Sequence, residues 1–230
     1  MKSILLYNLY PIGNWKDITE IVLKEVPFHD DIYVNVSIDR GIEGVFKKFY
    51  IIFYLKQYSK IRKIFFSVNN PGLGEVTGFE KFRKDIDFNN YSVVTYTHSK
   101  GVTKPGNKNI IDWVKMMTYF VIHRHDKCLK CFEEEFALYG AQLNKYEYDR
   151  PRKFTYKYCD FWYGGTFVSL DLRKLRREFI NTECVRDYFG VEAFWGNLCE
   201  FDKAYSAHNS PFSLYDHPYP AENYIPVEEL

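Results

Sequence analysis

A chain of 230 residues is long enough to bury a substantial core in one α/β unit, and one domain is its default organisation. With 46% hydrophobic and 27% charged residues, it has the composition of neither a disordered nor a fibrous protein. A formal net charge of +1 supplies no bulk positive field, which argues against nucleic acid as a partner and leaves only a local basic patch open.

Residues 3–10 (SILLYNLY) form a short apolar and aromatic run closed by Pro11 and Gly13, the pattern of a buried strand followed by a loop. Residues 15–26 then place Ile18, Ile21, Val22 and Val26 at helical spacing before Pro27 interrupts them. The unit repeats: residues 31–38 alternate as a strand does, and residues 45–58 are an apolar segment of helical length. Residues 63–68 (KIFFSV) supply a third strand ending in Asn69-Asn70-Pro71-Gly72, residues 74–87 a loop and helix, and residues 91–97 (YSVVTYT) a fourth strand. Strands alternating with helices imply parallel pairing through right-handed crossovers, and such sheets carry their ligand sites beyond the carboxyl ends of the strands. Asn8, Asp39, Asn69 and His98 therefore share one candidate edge.

Residues 112–136 read as one long helix, with Trp113, Met116, Met117, Phe120, Val121 and Cys128 on or near its buried side. Residues 138–143 and 161–170 read as later strands and 172–180 as a helix. From His208 the chain is rich in Pro, Tyr, Asn and Asp, and is expected to form an ordered tail or lid. Five cysteines, Cys128, Cys131, Cys159, Cys184 and Cys199, make an odd set without the density of a secreted disulfide scaffold, so reduced thiols in a cytoplasm are expected. Residues 1–10 hold one lysine and no signal-peptide cleavage pattern. No apolar stretch approaches a transmembrane segment in length, so membrane contact would be peripheral. His123, His125, Cys128 and Cys131 fall inside one predicted helix, where their spacings spread around the axis and do not match a structural zinc site.

Chemistry concentrates after the fourth strand. There His98-Ser99-Lys100-Gly101 offers an imidazole, a hydroxyl, an ammonium and a glycine turn. Such a cluster suits an anion, and a departing nucleoside diphosphate needs that stabilisation as a glycosidic bond breaks. Gly164-Gly165, inside an aromatic run, would let a sugar or diphosphate approach the backbone, and equally marks a bulge. Glu192, flanked by Gly190, Phe194 and Trp195, is a candidate base for an acceptor hydroxyl, and Asp160 beside Trp162 is its rival. Aromatic residues reach 19% of the chain; they could build a carbohydrate-stacking surface, or reflect an AT-rich genome that enriches Tyr, Phe, Ile, Asn and Lys together.

The order Tyr96-Thr97-His98-Ser99-Lys100-Gly101, then Asp112-Trp113 opening a helix, then Gly164-Gly165-Thr166-Phe167, resembles glycosyltransferase-like proteins of bacteria, algae and large viruses. These carry a Tyr-x-His-Ser-Lys-Gly motif, a Trp-initiated helix and a Ser/Gly-Gly-Asn-Phe strand, and the resemblance covers roughly residues 90–210. It implies a single-domain, GT-A-like (Rossmann-like) α/β fold with a mostly parallel central sheet flanked by helices. A nucleotide-sugar-binding half would span about 1–105, an acceptor half about 106–207, and a tail or lid 208–230. His98-Ser99-Lys100 stands where metal-dependent GT-A enzymes carry Asp-x-Asp for Mg²⁺ or Mn²⁺. Metal dependence is thus left undecided, with Lys100 able to replace part of a cation's charge and Asp39 or Asp160 able to hold one from elsewhere.

The function these features imply is transfer of a sugar from a nucleotide-sugar donor to a glycan acceptor hydroxyl. His98, Ser99, Lys100 and Gly101 would hold the diphosphate, Asn8 and Tyr10 border the nucleoside, and Asp39 take a ribose hydroxyl. Gly164 and Gly165 would floor the sugar site, Trp162 and Trp195 stack on the acceptor, and Glu192 or Asp160 be the base. Two alternatives are a glycosyltransferase acting on modified DNA bases, which would bind duplexes salt-sensitively, and an inactive carbohydrate-binding module, which donor turnover would exclude.

Overall fold

A computed structural model of the chain describes residues 1–147 and 154–229; residues 148–153 and 230, parts of the expected acceptor half and tail, lie outside the described residues. Seven strands form the main sheet: β1 (Ser3–Leu9), β2 (Asp31–Ile38), β3 (Ile61–Val68), β4 (Val93–His98), β5 (Leu138–Ala141), β8 (Val168–Asp171) and β9 (Ala204–His208). Two more, β6 (Leu143–Lys145) and β7 (Phe161–Tyr163), pair as a separate antiparallel ribbon. The main sheet runs β3-β2-β1-β4-β8-β5-β9. The first four strands pair in parallel, β8 alone runs against its neighbours, and β9 returns parallel to β5. This is the mostly parallel, helix-flanked α/β fold that the strand and helix alternation implies.

The helices are α1 (Trp15–Leu23), α2 (Ile42–Leu55), α3 (Val76–Asp85), α4 (Lys108–Thr118), α5 (His125–Glu133), α6 (Leu172–Asn181) and α7 (Gly190–Trp195). Every residue of β1 is buried, because helices cover both faces of a central parallel strand. Leu5, Tyr7 and Leu9 face one core with Trp15, Ile18, Val22, Trp113 and Met117. Ile4 and Leu6 face the other with Phe79, Phe82, Phe194 and Trp195.

Three expectations need correction, and one strand is added to them. The single helix over 112–136 is instead α4, a π-helical turn at Tyr119–His123, and α5. The first piece starts at Lys108 because the Asn107 side chain accepts from the Ile110 amide at 3.3 Å. Arg124 leaves helical geometry (φ −98°, ψ 33°), and both it and Tyr119 are anchored to Glu229 near the far end of the chain. The run 161–170 divides into β7 and β8 because Gly165 and Thr166 take φ of +87° and +57°, which no strand continues through. Gln142 (φ 59°) likewise separates β5 from β6. Finally, β9 precedes the expected tail as an edge strand.

A polar line crosses the middle of the sheet. His29 Nε2 meets Thr95 Oγ1 at 2.8 Å, Thr95 meets Ser169 at 2.8 Å, and His125 Nε2 meets Ser3 Oγ at 3.2 Å. The two imidazole rings lie 4.2 Å apart. Burial pushes the pKa of both down, that of His125 to about 4 and that of His29 well below 6.5. A histidine whose folded pKa is depressed contributes stability above its unfolded pKa and loses it as pH falls. We therefore expect the urea midpoint to drop progressively between pH 6.5 and 4, with His125 alone accounting for on the order of 3 kcal/mol. Asp31, bound by Lys2, Arg62 and Tyr91, acts lower: burial opposes its charge, but these partners outweigh burial and hold it at about 2. A midpoint flat from pH 6.5 to 4 would show that the histidines do not stay neutral in the fold.

Candidate functional site

The parallel strands deliver their carboxyl ends to a cavity of about 490 Å³. It opens where the chain order reverses, since β1 is followed by β2 on one side and flanked by β4 on the other. Asn8 and Ser37 stand one residue before the ends of β1 and β2, Asn69 follows β3, and His98 ends β4; all four line the cavity. So do Tyr10, Ser99, Lys100 and Gly101. Asp39 stands at the rim, accepting from the Tyr10 hydroxyl at 3.4 Å and from Asn69 Nδ2 at 2.9 Å.

A hydrogen-bonded frame holds these side chains. Asn35 Nδ2 donates to Asn8 Oδ1 and to Ser67 Oγ, both at 2.9 Å, while Asn8 Nδ2 donates to the Tyr96 hydroxyl at 3.2 Å. Tyr96 in turn donates to Glu75 Oε2 at 2.9 Å, and the other Glu75 oxygen pairs with His98 Nδ1. Burial would raise the Glu75 carboxyl, but His98, Tyr96 and the more distant Lys100 outweigh it and hold the group below its usual value. With Nδ1 committed to Glu75, His98 Nε2 is a buried ring nitrogen without a partner, on a residue of the cavity wall. Ser99 stitches the ends of β1 and β4, its hydroxyl accepting from the Tyr10 amide at 2.8 Å and its amide donating to the Asn8 carbonyl at 3.0 Å.

Lys100 holds its ammonium 4.0 Å from the Trp113 ring centre and 3.4 Å from the Tyr215 hydroxyl. The turn after it needs Gly101: φ is +83°, and a Cβ there would sit 2.2 Å from Ile110. Lys104, also on the cavity wall, adds a second cation. Gly165 lies beneath Lys100; a Cβ on it would meet Met117 at 2.6 Å and the lysine stem at 3.3 Å. Gly164 does not reach the first cavity. It lines a second one of about 360 Å³ with Trp113, Gln142, Asn144 and Phe212, and Tyr215 belongs to both cavities.

Glu192, on α7, is half-buried and lines neither cavity. Burial pushes its carboxyl up to about 7; the Glu75 charge adds to that, while Lys100 and a hydrogen bond with Thr155 oppose it. Asp160 is exposed and lines neither cavity, and Trp162 is half-buried in β7 opposite Asn144. Trp195 must be corrected: it is fully enclosed in the core, tilted against Tyr96 and stacked on Phe179, and has no face for a sugar. Among the described residues no group of three or more His, Cys, Asp or Glu is placed to hold a metal ion, and His125 and Cys128 of the histidine and cysteine set are core residues. Glu75, Tyr188 and Tyr215 are wall residues that sequence reasoning missed. For Glu75 the available signal was an acid after Gly74 at the end of a strand-loop segment.

No family model and no curated protein matches the chain. Among solved structures it is similar to a crystal structure of 4-diphosphocytidyl-2C-methyl-D-erythritol synthase, with 11% identity and a TM-score of 0.43 over 97% of this chain and 95% of that one. A likeness that distant decides nothing about chemistry. No helix among the described residues is long and apolar enough to cross a membrane.

Proposed function

We propose that this chain is a nucleotide-sugar-dependent glycosyltransferase that moves a sugar from a nucleoside diphosphate to a hydroxyl of a glycan acceptor in the cytoplasm. The observation that carries the reading is the convergence of Asn8, Tyr10, His98, Ser99, Lys100 and Gly101 on one cavity at the reversal point of the sheet. In this reading Lys100 and Lys104 meet the diphosphate, and His98, its Nδ1 held by Glu75, lines the wall beside it. Asp39 takes a ribose hydroxyl at the rim. The acceptor occupies the second cavity against Trp113, Phe212 and Tyr215, with Gly164 in its floor and Trp162 beside it; the shared Tyr215 marks where donor and acceptor meet. Glu192, behind the cavity wall but within the field of the wall residues Lys100 and Glu75, is the candidate base with Asp160 as its rival, and any Mg²⁺ or Mn²⁺ would enter with the diphosphate.

Thermal shift measurements test the donor site. A nucleoside diphosphate or its sugar conjugate at a hundredfold excess over Kd should raise Tm by roughly 5 to 10 °C, and the matching nucleoside much less. Equal stabilisation by both would remove the diphosphate as the principal handle.

A further inference from the structure

Helix α2 is built inside out. A helix on an α/β sheet ordinarily turns its apolar stripe to the core and its charges to water. Here Gly44, Ile51 and Leu55 make the buried side, while Ile42, Val45, Phe46, Phe49, Tyr50 and Phe53 recur at i, i+3, i+4, i+7, i+8 and i+11 on the outer one. Ile42, Phe46, Phe49 and Phe53 are 76%, 71%, 70% and 79% exposed, which no packing among the described residues explains.

Charge identifies what would cover this stripe. Residues 40–63 contain seven cations (Arg40, Lys47, Lys48, Lys56, Lys60, Arg62 and Lys63) against the single acid Glu43, a net +6 in a chain whose total is +1. Lys60 and Arg62 are engaged, the first by the carbonyls of Val26 and His29 and the second by Asp31. Lys63 lies on the other face of β3, over the Phe65 ring and near Asp85. Arg40 and Lys56, which are exposed, and Lys47 and Lys48, half-buried on the flanks of the helix, remain about α2 against Glu43 and the neighbouring Asp39, which is bound by Tyr10 and Asn69. From α1, Lys16 reaches to 4.9 Å from the Tyr50 ring centre; the acids there, Asp17 and Glu20, are matched by Lys16 and Lys24. A second copy of the chain, docking by two-fold symmetry, would set this positive segment against itself. An anionic bilayer offers apolar depth for the aromatic stripe and negative charge for its flanks.

We propose that the outer face of α2 docks the protein on anionic lipid surfaces. The helix begins just after β2, at the same sheet edge as the cavity, so docking holds the cavity near the bilayer. The proposal stands apart from the assignment of sugar transfer and needs no donor to test. Flotation with vesicles should recover the protein on phosphatidylcholine mixed with phosphatidylglycerol and leave it behind on phosphatidylcholine alone, with recovery falling as salt is raised. Replacing Phe46, Phe49 and Phe53 together by Ser should weaken partitioning by roughly tenfold or more without loss of the circular dichroism signal, since these rings pack on nothing inside. The charge reversals Lys47→Glu and Lys48→Glu, which leave the aromatics in place, should weaken it comparably. Failure to float with the anionic vesicles, or equal flotation with both vesicle types, overturns the proposal. So does a dimer in solution that the serine variant dissolves while the wild-type protein ignores the vesicles.

Discussion

Replacing Glu192 by Gln is expected to lower the rate of sugar transfer by about 10²–10⁴-fold while leaving fold and donor affinity in place. The amide keeps the carboxylate's shape and loses its ability to take a proton. Glu192 is suited to the role because burial has brought its carboxyl up to about 7, where a base is still substantially ionised and yet binds a proton well. The sign of the pH dependence follows. Only the ionised form accepts a proton, so kcat/KM should rise as pH increases through about 7 and level off above it, whereas a carboxylate at the ordinary 4.5 would have levelled off long before. The Gln variant should lose that limb as well as the rate. Asp160→Asn is the companion measurement: neither carboxylate lines a cavity, but Asp160 is exposed whereas Glu192 is half-buried within the field of Lys100 and Glu75, so Asp160 should be replaced at little cost. A full rate in Glu192→Gln beside a dead Asp160→Asn would transfer the role to Asp160; two fully active variants would remove both from the chemistry.

What the sequence disclosed follows from how each element is buried. The first four strands were legible for different reasons: β1, covered on both faces, reads as an apolar run, β2 and β4 alternate apolar and polar residues, and β3 carries the apolar stretch Ile64–Phe66 although it lies at the sheet edge. Legible strand ends made the cavity legible too, since Asn8 and His98 pair at the ends of two adjacent strands. The second half was less readable. The continuous helix gives way to a π-helical turn from Tyr119 and breaks at Arg124, and both residues are bound to Glu229, about a hundred residues away, which no local period records. Strand β9 is short, mostly half-exposed and at the sheet edge, and it carries no apolar run. Glu75 acquires its role from His98 and Tyr96, residues of a different strand, and only the folded chain brings them together. Trp195 misled for the opposite reason, since an aromatic beside a candidate base looks alike in sequence whether it faces a ligand or the core.

Lys100→Ala should raise the Kd for a nucleoside diphosphate by about 10- to 150-fold, the equivalent of roughly 1.5–3 kcal/mol for one charge-assisted contact. The ammonium is already held at the cavity wall by the Trp113 ring and the Tyr215 hydroxyl, so little ordering remains to be done when phosphate arrives. Its stem covers Gly165 and is not part of either main core, so the variant should unfold at nearly the wild-type temperature in the absence of ligand. Nucleoside affinity should be almost unchanged, and the advantage of the diphosphate over the nucleoside is therefore the quantity that shrinks. A second consequence tests the placement of the charges. Lys100 opposes the rise in the Glu192 pKa, so its removal should move the rising limb of the kcat/KM profile to higher pH. Titration calorimetry with diphosphate and nucleoside, together with the profile of the variant, measures both effects. Unchanged diphosphate affinity would take Lys100 out of the phosphate site; weaker affinity with an unmoved limb would keep the contact and deny Glu192 the role of the titrating base.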